Sequence, residues 1–584
     1  MTQNALSQRD SPAYPARYFG LIQQTTQSRN LAFPGPKKCR IYSRSRFNFG
    51  FNIFTVADTA PTQTPEEFHY SCYTLVVLTM VYILNFLDRQ ILAILNEEIK
   101  RDLALTDAQM GFLFGTAFAV FYALFGIPFG RLADVWIRRT FIAYAVAFWS
   151  AATVLSGFAQ NFLQLGMARI AVGVGEAGTG PCAYSLLSDS FVPAKRATVI
   201  AILASGVYVG AGLGTFIGGQ VVARWDAAYA AGGAPFGFAG WQIAFFVVGL
   251  PGLVLALWVR TLREPKRGAL DGIASEVEPH PFREFAVELS AVLPGLSIAN
   301  LIRLRASQST IFCNGLSLIL FSAGAWWLTR LFGNPAQWIA LAIGFYATTS
   351  WAQSLVLRDR PTAQLILGSR AWVLFVLGLS LLAFSTFGLA YFTAPFFIRY
   401  HDVPIGDLGF TLGGITAAFG FIGATFGGAL ADYWRKFHPC GRLYLAICAA
   451  LIPIPAGLMM LHTPSTVLAF SLNAVVALAG AAWLGIAGST VTDLVLPRMR
   501  GTATAVYILT VTLLGLALGP FTVGLVSDLT GDLRNGLKIA LWANLAAAMV
   551  IALASRYLAE DEATLRERAR NAGEAIDIVK NSSD

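Results

Sequence analysis

Four ionisable residues stand inside long apolar stretches. Asp88 and Arg89 lie in Asn85-Phe86-Leu87-Asp88-Arg89-Gln90, and Arg169 and Glu176 in Arg169-Ile-Ala-Val-Gly173-Val-Gly175-Glu176-Ala177. An ionisable group inside a bilayer span costs about 2.5–3.5 kcal/mol on insertion scales, so four of them are not filler. Their signs cancel, and mutual pairing makes such a set tolerable in a low dielectric. Arg169 and Glu176 are seven residues apart, close to two helical turns, and therefore share one face. The chemistry this set supports is proton-linked ion exchange. A carboxyl buried in one conformation and wetted in another, with an arginine beside it in only one of them, holds its proton with a conformation-dependent affinity. An anionic ligand would compete with Asp88 or Glu176 for Arg169 and so link its own binding to proton release. The plainer reading is a structural ion-pair cluster that fixes helix packing.

A second constellation occurs twice. Gly130-Arg131-Leu132-Ala133-Asp134-Val135-Trp136-Ile137-Arg138-Arg139 returns 298 residues later as Gly428-Ala429-Leu430-Ala431-Asp432-Tyr433-Trp434-Arg435-Lys436. Asp189, Pro193, Arg196 and Thr198 return 304 residues on as Asp493, Pro497, Arg500 and Thr502. The spacing predicts two parallel halves of common plan. Gly130 and Gly428 are expected to let two helices approach closely. Asp134 and Asp432 are expected to accept hydrogen bonds from a neighbouring helix N-terminus and to pair with Arg138, Arg139 and Arg435, latching one side of the membrane until it opens.

The elements that must position these groups follow from composition. The chain has 584 residues, 55% hydrophobic and only 13% charged, against about 25% charged in soluble domains. Its apolar runs are long enough for helical spans and too long for the strands of an outer-membrane barrel. The expected fold is an all-α polytopic membrane protein of two six-helix repeats plus two extra helices between them, about 14 spans. Residues 1–70 read as a disordered cytoplasmic tail and 71–262 as the N-terminal half. Residues 263–305 read as a charged cytoplasmic linker and 306–357 as an inserted helix pair, with an interfacial hairpin as the alternative. Residues 370–558 form the C-terminal half and 559–584 a cytoplasmic tail. With both termini cytoplasmic, 33 of the 42 basic residues fall on that side and seven on the other, as the positive-inside rule requires. In the fifth span, Gly206, Gly210, Gly214 and Gly218 form a close-packing stripe.

The duplicated Gly-x-Leu-Ala-Asp-x-x-x-Arg-Arg loop resembles the signature loop of the major facilitator superfamily, over residues 73 to 556. Asn-x-Leu-Asp-Arg in the first span and Arg-x-x-x-Gly-x-Gly-Glu-Ala in the fourth resemble the Spinster family within it, which includes exporters of sphingosine-1-phosphate and lysophospholipids. The resemblance implies alternating access, with Asp88, Arg169 and Glu176 as coupling and substrate-contact residues and Arg89 as their partner. It implies protons and an amphipathic or lipid-like organic anion as cargo, in the cell membrane. A symporter or uniporter of a small organic anion or other small solute is the alternative.

The matching spans of the second half carry no such charges. Phe387 and Tyr391, with Phe392, Phe396 and Phe397, are therefore expected to make an aromatic cavity wall suited to a tail. A lipid carrier should draw polar groups from one half only, and a carrier of small polar anions from both. The six scattered cysteines suggest no disulfide framework or metal site, and no cofactor is expected. Gly-x-Ser-x-Gly, His-Glu-x-x-His and P-loop motifs are absent from the sequence, so it is not read as an enzyme. A net charge of +9 is read as topology rather than as affinity for nucleic acid, and the chain is expected to work as a monomer beside membrane lipid.

Overall fold

Thr64 caps the first helix: its hydroxyl oxygen accepts a hydrogen bond from the Glu67 N–H while the Glu67 carboxylate accepts one from the Thr64 N–H, a reciprocal cap with Pro65 in the first turn. The computed structural model describes residues 63–271 and 279–574. The tail expected over 1–70 lies outside the described residues through residue 62, as do residues 272–278 of the linker and the last ten of the C-terminal tail. Residues 65–70 belong to the first helix, so that boundary moves.

Among the described residues all regular structure is helical. The N-terminal half comprises α1 (Pro65–Ile94), α2 (Asp107–Val135), α3 (Arg138–Ser156), α4 (Phe162–Glu176), α5 (Thr179–Ser190), α6 (Pro193–Ala228) and α7 (Gly240–Arg260). The fourth span is thus two pieces, α4 and α5. Pro181 has no N–H for the carbonyl of Ala177 and its ring crowds that carbonyl, so the helix breaks there. The C-terminal half comprises α12 (Arg370–His401), α13 (Ile405–Arg435), α14 (Gly441–His462), α15 (Thr466–Asp493), α16 (Pro497–Thr530) and α17 (Leu533–Ala563), followed by the short α18 (Leu565–Asn571). Between them lie the bent pair α8 (Pro281–Val292) and α9 (Leu296–Arg303), then α10 (Gln308–Phe332) and α11 (Pro335–Arg358). Thirteen of the helices are long and apolar enough to span. The bent pair α8–α9 makes a fourteenth if counted as one span; the broken α4–α5, in the place of the fourth span, is not among the thirteen.

The linker is more than a charged tether. Helices α8 and α9 meet at 110°, and Phe285 stacks on Phe129 of α2 with centroids 5.3 Å apart. Ser297 donates to the Tyr346 hydroxyl at 2.7 Å, and Tyr346 donates to Asn314 at 2.8 Å, which ties α9, α10 and α11 through buried polar groups. Helix α11 in turn lies across the two halves. A Cβ on Gly344 would stand 2.9 Å from Leu513 of α16 and 3.3 Å from Val120 of α2. The inserted pair is therefore packed on the body of the bundle, whereas an interfacial hairpin would lie apart from the spans.

Helix α6 holds the halves in register with two glycine faces. Gly210 and Gly214 face α1 so closely that a Cβ would stand 2.3 Å from the Ile83 carbonyl oxygen and 2.6 Å from that of Leu87. Gly212 and Gly219, on the other face, meet Gly413 and Gly409 of α13. Only the first face was legible as a stripe of four-residue spacing.

Candidate functional site

Between the halves lies a cavity of about 1210 Å3. It is bounded by α1, α2, α5 and α6 on one side and by α12, α13, α15 and α16 on the other, and it runs toward Arg500 at the start of α16. That is the end of the bundle where α1 begins and α17 ends, here called the terminal end.

The opposite end is sealed. Arg399 of α12 donates to Glu97 at 2.9 and 2.6 Å and to Asp107 at 2.7 and 2.6 Å. Ser527 and Lys100 also reach Asp107, each at 2.6 Å. The Asp528 carboxylate accepts the free N–H groups of Asp107 and Ala108 at the start of α2, at 3.0 and 2.8 Å. Deeper in the seal, Thr116 donates to the Ala517 carbonyl at 2.7 Å. Nearby, Arg534 holds the loop carboxyl of Asp532 down at about 2. Among the described residues, every hydrogen bond that directly joins the two six-span halves lies at this end or in the seam leading to it. Sequence reasoning missed this seal, because its members are short polar groups at span ends, hundreds of residues apart.

The four embedded charges divide. Arg89 Nε donates to Glu176 Oε2 at 2.6 Å, and both residues line the cavity. The Arg89 guanidinium is framed by Phe86, Phe118 and Tyr122, with ring centroids 4.8, 4.6 and 4.7 Å away, so it is held by cation–π contact as well as by charge. Asp88 points away from the cavity, fully buried, and accepts a hydrogen bond from Thr153 of α3 at 3.1 Å. Successive helical residues are about 100° apart, which sends Asp88 and Arg89 to different faces. Arg169 is buried behind the cavity wall near Phe118, 5.8 Å from its centroid. It forms no ion pair with Asp88 or Glu176 within 4.0 Å. Cross-helix pairing between the first and fourth spans is thus present, but as Arg89 with Glu176. One oxygen of Asp88, one of Glu176 and two nitrogens of Arg169 are buried without a protein partner, where buried polar groups as a rule are hydrogen-bonded.

The duplicated loops are engaged differently from expectation. Asp134 is exposed and hydrogen-bonds to nothing among the described residues, and no atom stands within 4 Å of a Cβ built on Gly130. Arg138 instead pairs with Asp189 and, at 2.7 Å, with Glu264, while Arg139 donates to the Leu262 carbonyl. In the second copy Asp432 pairs with Arg442 at 2.6 Å, not with Arg435, which reaches Asp493 at 2.7 Å and Glu562 at 3.1 Å. Only Gly428 makes the expected close approach, against Gly485 of α15. Gly130 and Asp134 meet nothing from the other half, and the rest of the first loop is held by the linker, where Arg267 donates to the Ala133 and Trp136 carbonyls at 2.7 and 2.6 Å and Glu284 accepts from Arg131 at 3.1 Å.

The aromatic wall needs correction as well. Phe387 lines the cavity, but Tyr391 is fully buried in the seal, stacked on Phe114 of α2 at 4.3 Å. Phe392, Phe396 and Phe397 are core residues, and Phe397 stacks on Phe470 at 4.1 Å. In their place the second half presents neutral polar groups, among them Thr386, Asn473, Thr512 and Asn544, with Arg500 at the mouth. Charge near the membrane centre comes from one half, and neutral polarity from both.

The sequence profile of the Major Facilitator Superfamily matches residues 78–520. An MFS-type efflux pump of Mycolicibacterium smegmatis is 25% identical over 485 residues, covering 83% of this chain and 91% of that protein. Protein spinster of Drosophila melanogaster is 24% identical, covering 85% and 70%. The crystal structure of a bacterial homolog to the human lysosomal transporter Spinster, in an inward-facing and occupied conformation, is similar with a TM-score of 0.61 and 27% identity, covering 86% of this chain and 99% of that one. With its two six-span halves, the charges of α1 and α4 and these relatives, the chain belongs to the major facilitator superfamily, as a membrane transporter of Spinster type.

Proposed function

We propose that this chain is a proton-coupled secondary transporter that carries an amphipathic, lipid-like organic anion by alternating access, and that the structure represents its inward-facing state. The terminal end is assigned to the cytoplasm by the excess of basic residues there, in a cell membrane, with the chain acting as a monomer. The cavity then opens to the cytoplasm while the outer side is shut by the Arg399 cluster. Asp134 and Gly130 are the released half of a cytoplasmic latch, and Arg138, Arg139, Gly428, Asp432 and Arg435 belong to the same gate.

The observation that carries the reading is the Arg89–Glu176 pair on the wall of a cavity far larger than a buried ion pair needs. A substrate anion drawn to Arg89 displaces Glu176. Glu176 and the bound anion then compete for Arg89, so the protonation of Glu176 is linked to substrate binding, and reopening on the other side reverses the exchange. Asp88 and Arg169 supply the buried charges that rebalance the set when Arg89 changes partner. The groove suits a tail along Phe86 and Phe387, which line it. A small polar anion is the second reading, favoured by the neutral polar groups that both halves place in the cavity.

The test is proton movement in liposomes holding a trapped pH-sensitive dye. Purified protein is challenged with a lysophospholipid, a sphingoid phosphate and small organic anions, beside Glu176→Gln and Asp88→Asn. Substrate-driven proton flux that either variant abolishes while still folding supports the reading. Absence of proton flux in the wild type, with both variants transporting normally, refutes coupling and makes the charges structural.

A further inference from the structure

Apart from the charged pair, one branch of the cavity's lining comes from α12, α14, α15 and α17 of the C-terminal half and includes Ala449, Pro453, Asn473, Trp483 and Asn544. Asn544 is 3% exposed and Asn473 8%. Neither side-chain amide makes a hydrogen bond to any described residue, although both border open space. The Oγ of Ser385 and the indole N–H of Trp483, on the same branch, are buried without partners. Helix α14 breaks at Ile452 because Pro453 has no N–H to offer the Ala449 carbonyl. In a span, backbone is left unpaired only where it is buried in protein or lines a cavity, and broken spans near the midplane recur at transporter binding sites. Neutral polar groups of the C-terminal half are therefore spread along one side of the cavity, with Asn473 and Trp483 ten residues, about 15 Å, apart on α15.

The amides of Asn473 and Asn544 face the cavity without a protein partner, while Ser385 Oγ and Trp483 Nε1 are buried without one, which costs about 1–3 kcal/mol apiece. The groups offer both donors and acceptors and no charge. From this geometry we infer a second substrate subsite that takes hydroxyl or amide groups, so that the cargo is an anion with neutral hydrogen-bonding groups beside its charge and not a bare alkyl anion. The inference rests on the proposed transport of an organic anion and names its polar part. Charge is held by the N-terminal half and hydroxyls by the C-terminal half, so one substrate spans the two and favours their closure.

The test uses probe pairs that differ only or mainly in hydroxyl content: galactarate against adipate, and lysophosphatidylglycerol against hexadecyl phosphate. Thermal unfolding of the full chain is followed with each probe, for the wild type, Asn473→Leu and Asn544→Leu. The expected result is a larger upward shift with the hydroxylated member, at least a tenfold difference in apparent affinity, collapsing to near equality in both variants. Their ligand-free midpoints should be no lower than that of the wild type. Equal shifts from hydroxylated and bare members in the wild type overturn the subsite while leaving organic-anion transport standing. A preference that survives both substitutions does the same. A lowered ligand-free midpoint in both variants makes the asparagines structural and also overturns it. No shift from any probe overturns the anion reading and the subsite together.

Discussion

Arg399 offers the sharpest test of how the proposed inward-facing state is held. Its guanidinium makes four hydrogen bonds to two carboxylates of the other half, and its side chain is 22% exposed while that of Asp107 is 3% exposed. Exposed ion pairs return at most about 1 kcal/mol, and breaking a buried pair costs about 3–5 kcal/mol. An intermediate site, with Lys100 still on Asp107 after the change, should lose about 2 kcal/mol, a shift of roughly 30-fold. In an outward-open state the same arginine would be in water and its loss would change little, so the difference falls on the ratio of the two states. Arg399→Ala is therefore expected to raise the outward-open fraction about 30-fold. Arg399→Lys, a point charge without the fork, should have a smaller effect. Spin labels at Gln160 and His462, exposed on opposite halves of the sealed end, would report a longer distance population in electron–electron resonance. An unchanged distance distribution in Arg399→Ala would refute the idea that this cluster contributes to closing the outer side.

Further outcomes follow from the same geometry. Gly210→Leu should collapse the yield of folded protein, because even its Cβ would stand 2.3 Å from the Ile83 carbonyl oxygen; normal yield and thermal midpoint would contradict the α1–α6 contact. Chemical cross-links from Gly344→Cys to Leu513→Cys and to Val120→Cys should differ, one tolerated and one blocking transport, since α11 touches both halves and travels with one; two harmless cross-links would show that α11 does not ride on either. Arg498 donates to Asp359 at 2.8 Å and also to Glu574. Burial opposes ionisation of Asp359 but the Arg498 hydrogen bonds prevail, and they likewise lower Glu574. Both depressed carboxyls add attachment above their ordinary range and lose it as pH falls through their lowered values. A spin label at Asn571 should therefore stay immobile at neutral pH and loosen only below about pH 4; loosening between pH 8 and 6 would point to another group.

Span positions were legible because each needs a long apolar run, and the bilayer leaves little choice of structure. The glycine stripe at 206 to 218 was legible for the same kind of reason, since a regular four-residue spacing marks one helix face. Its counterpart on α13 was not, because Gly212 and Gly219 become a face only when paired with Gly413 and Gly409. The embedded charges announced themselves by their cost, yet the partner of each depended on helix rotation. Adjacent letters such as Asp88 and Arg89 end on different faces, and a periodic argument that placed Arg169 with Glu176 had no means of bringing Arg89 in from α1. Tyr391 and Phe387 are one turn apart on α12, and only the packing of α2 decides which is sealed away. The state of the proposed gate is invisible in a sequence altogether, because Gly130 and Asp134 are the same letters whether or not they have partners.

The separation of seal from site carries the last step of the argument. If the outer closure were made by the same charges that bind cargo, occupying the site would open the wrong side. In the proposed cycle closure rests on Arg399, Asp107 and Asp528, while exchange rests on Arg89 and Glu176 deeper in the cavity. Between the two lies an apolar plug, with Tyr391 against Phe114 and Thr116 bonded to the α16 backbone. Ligand binding can therefore alter the Arg89 partnership without touching the seal directly, and must act on it through α1, which carries Arg89 and leads on to Glu97 of the seal, and α12, which lines the cavity at Phe387 and carries Arg399. Under the proposed cycle, coupling strength is then set by the rigidity of those two helices. It also explains why α1 is clasped along its length by the glycine face of α6: a helix that transmits a displacement of one side chain to a lock at its far end cannot be loosely packed in between.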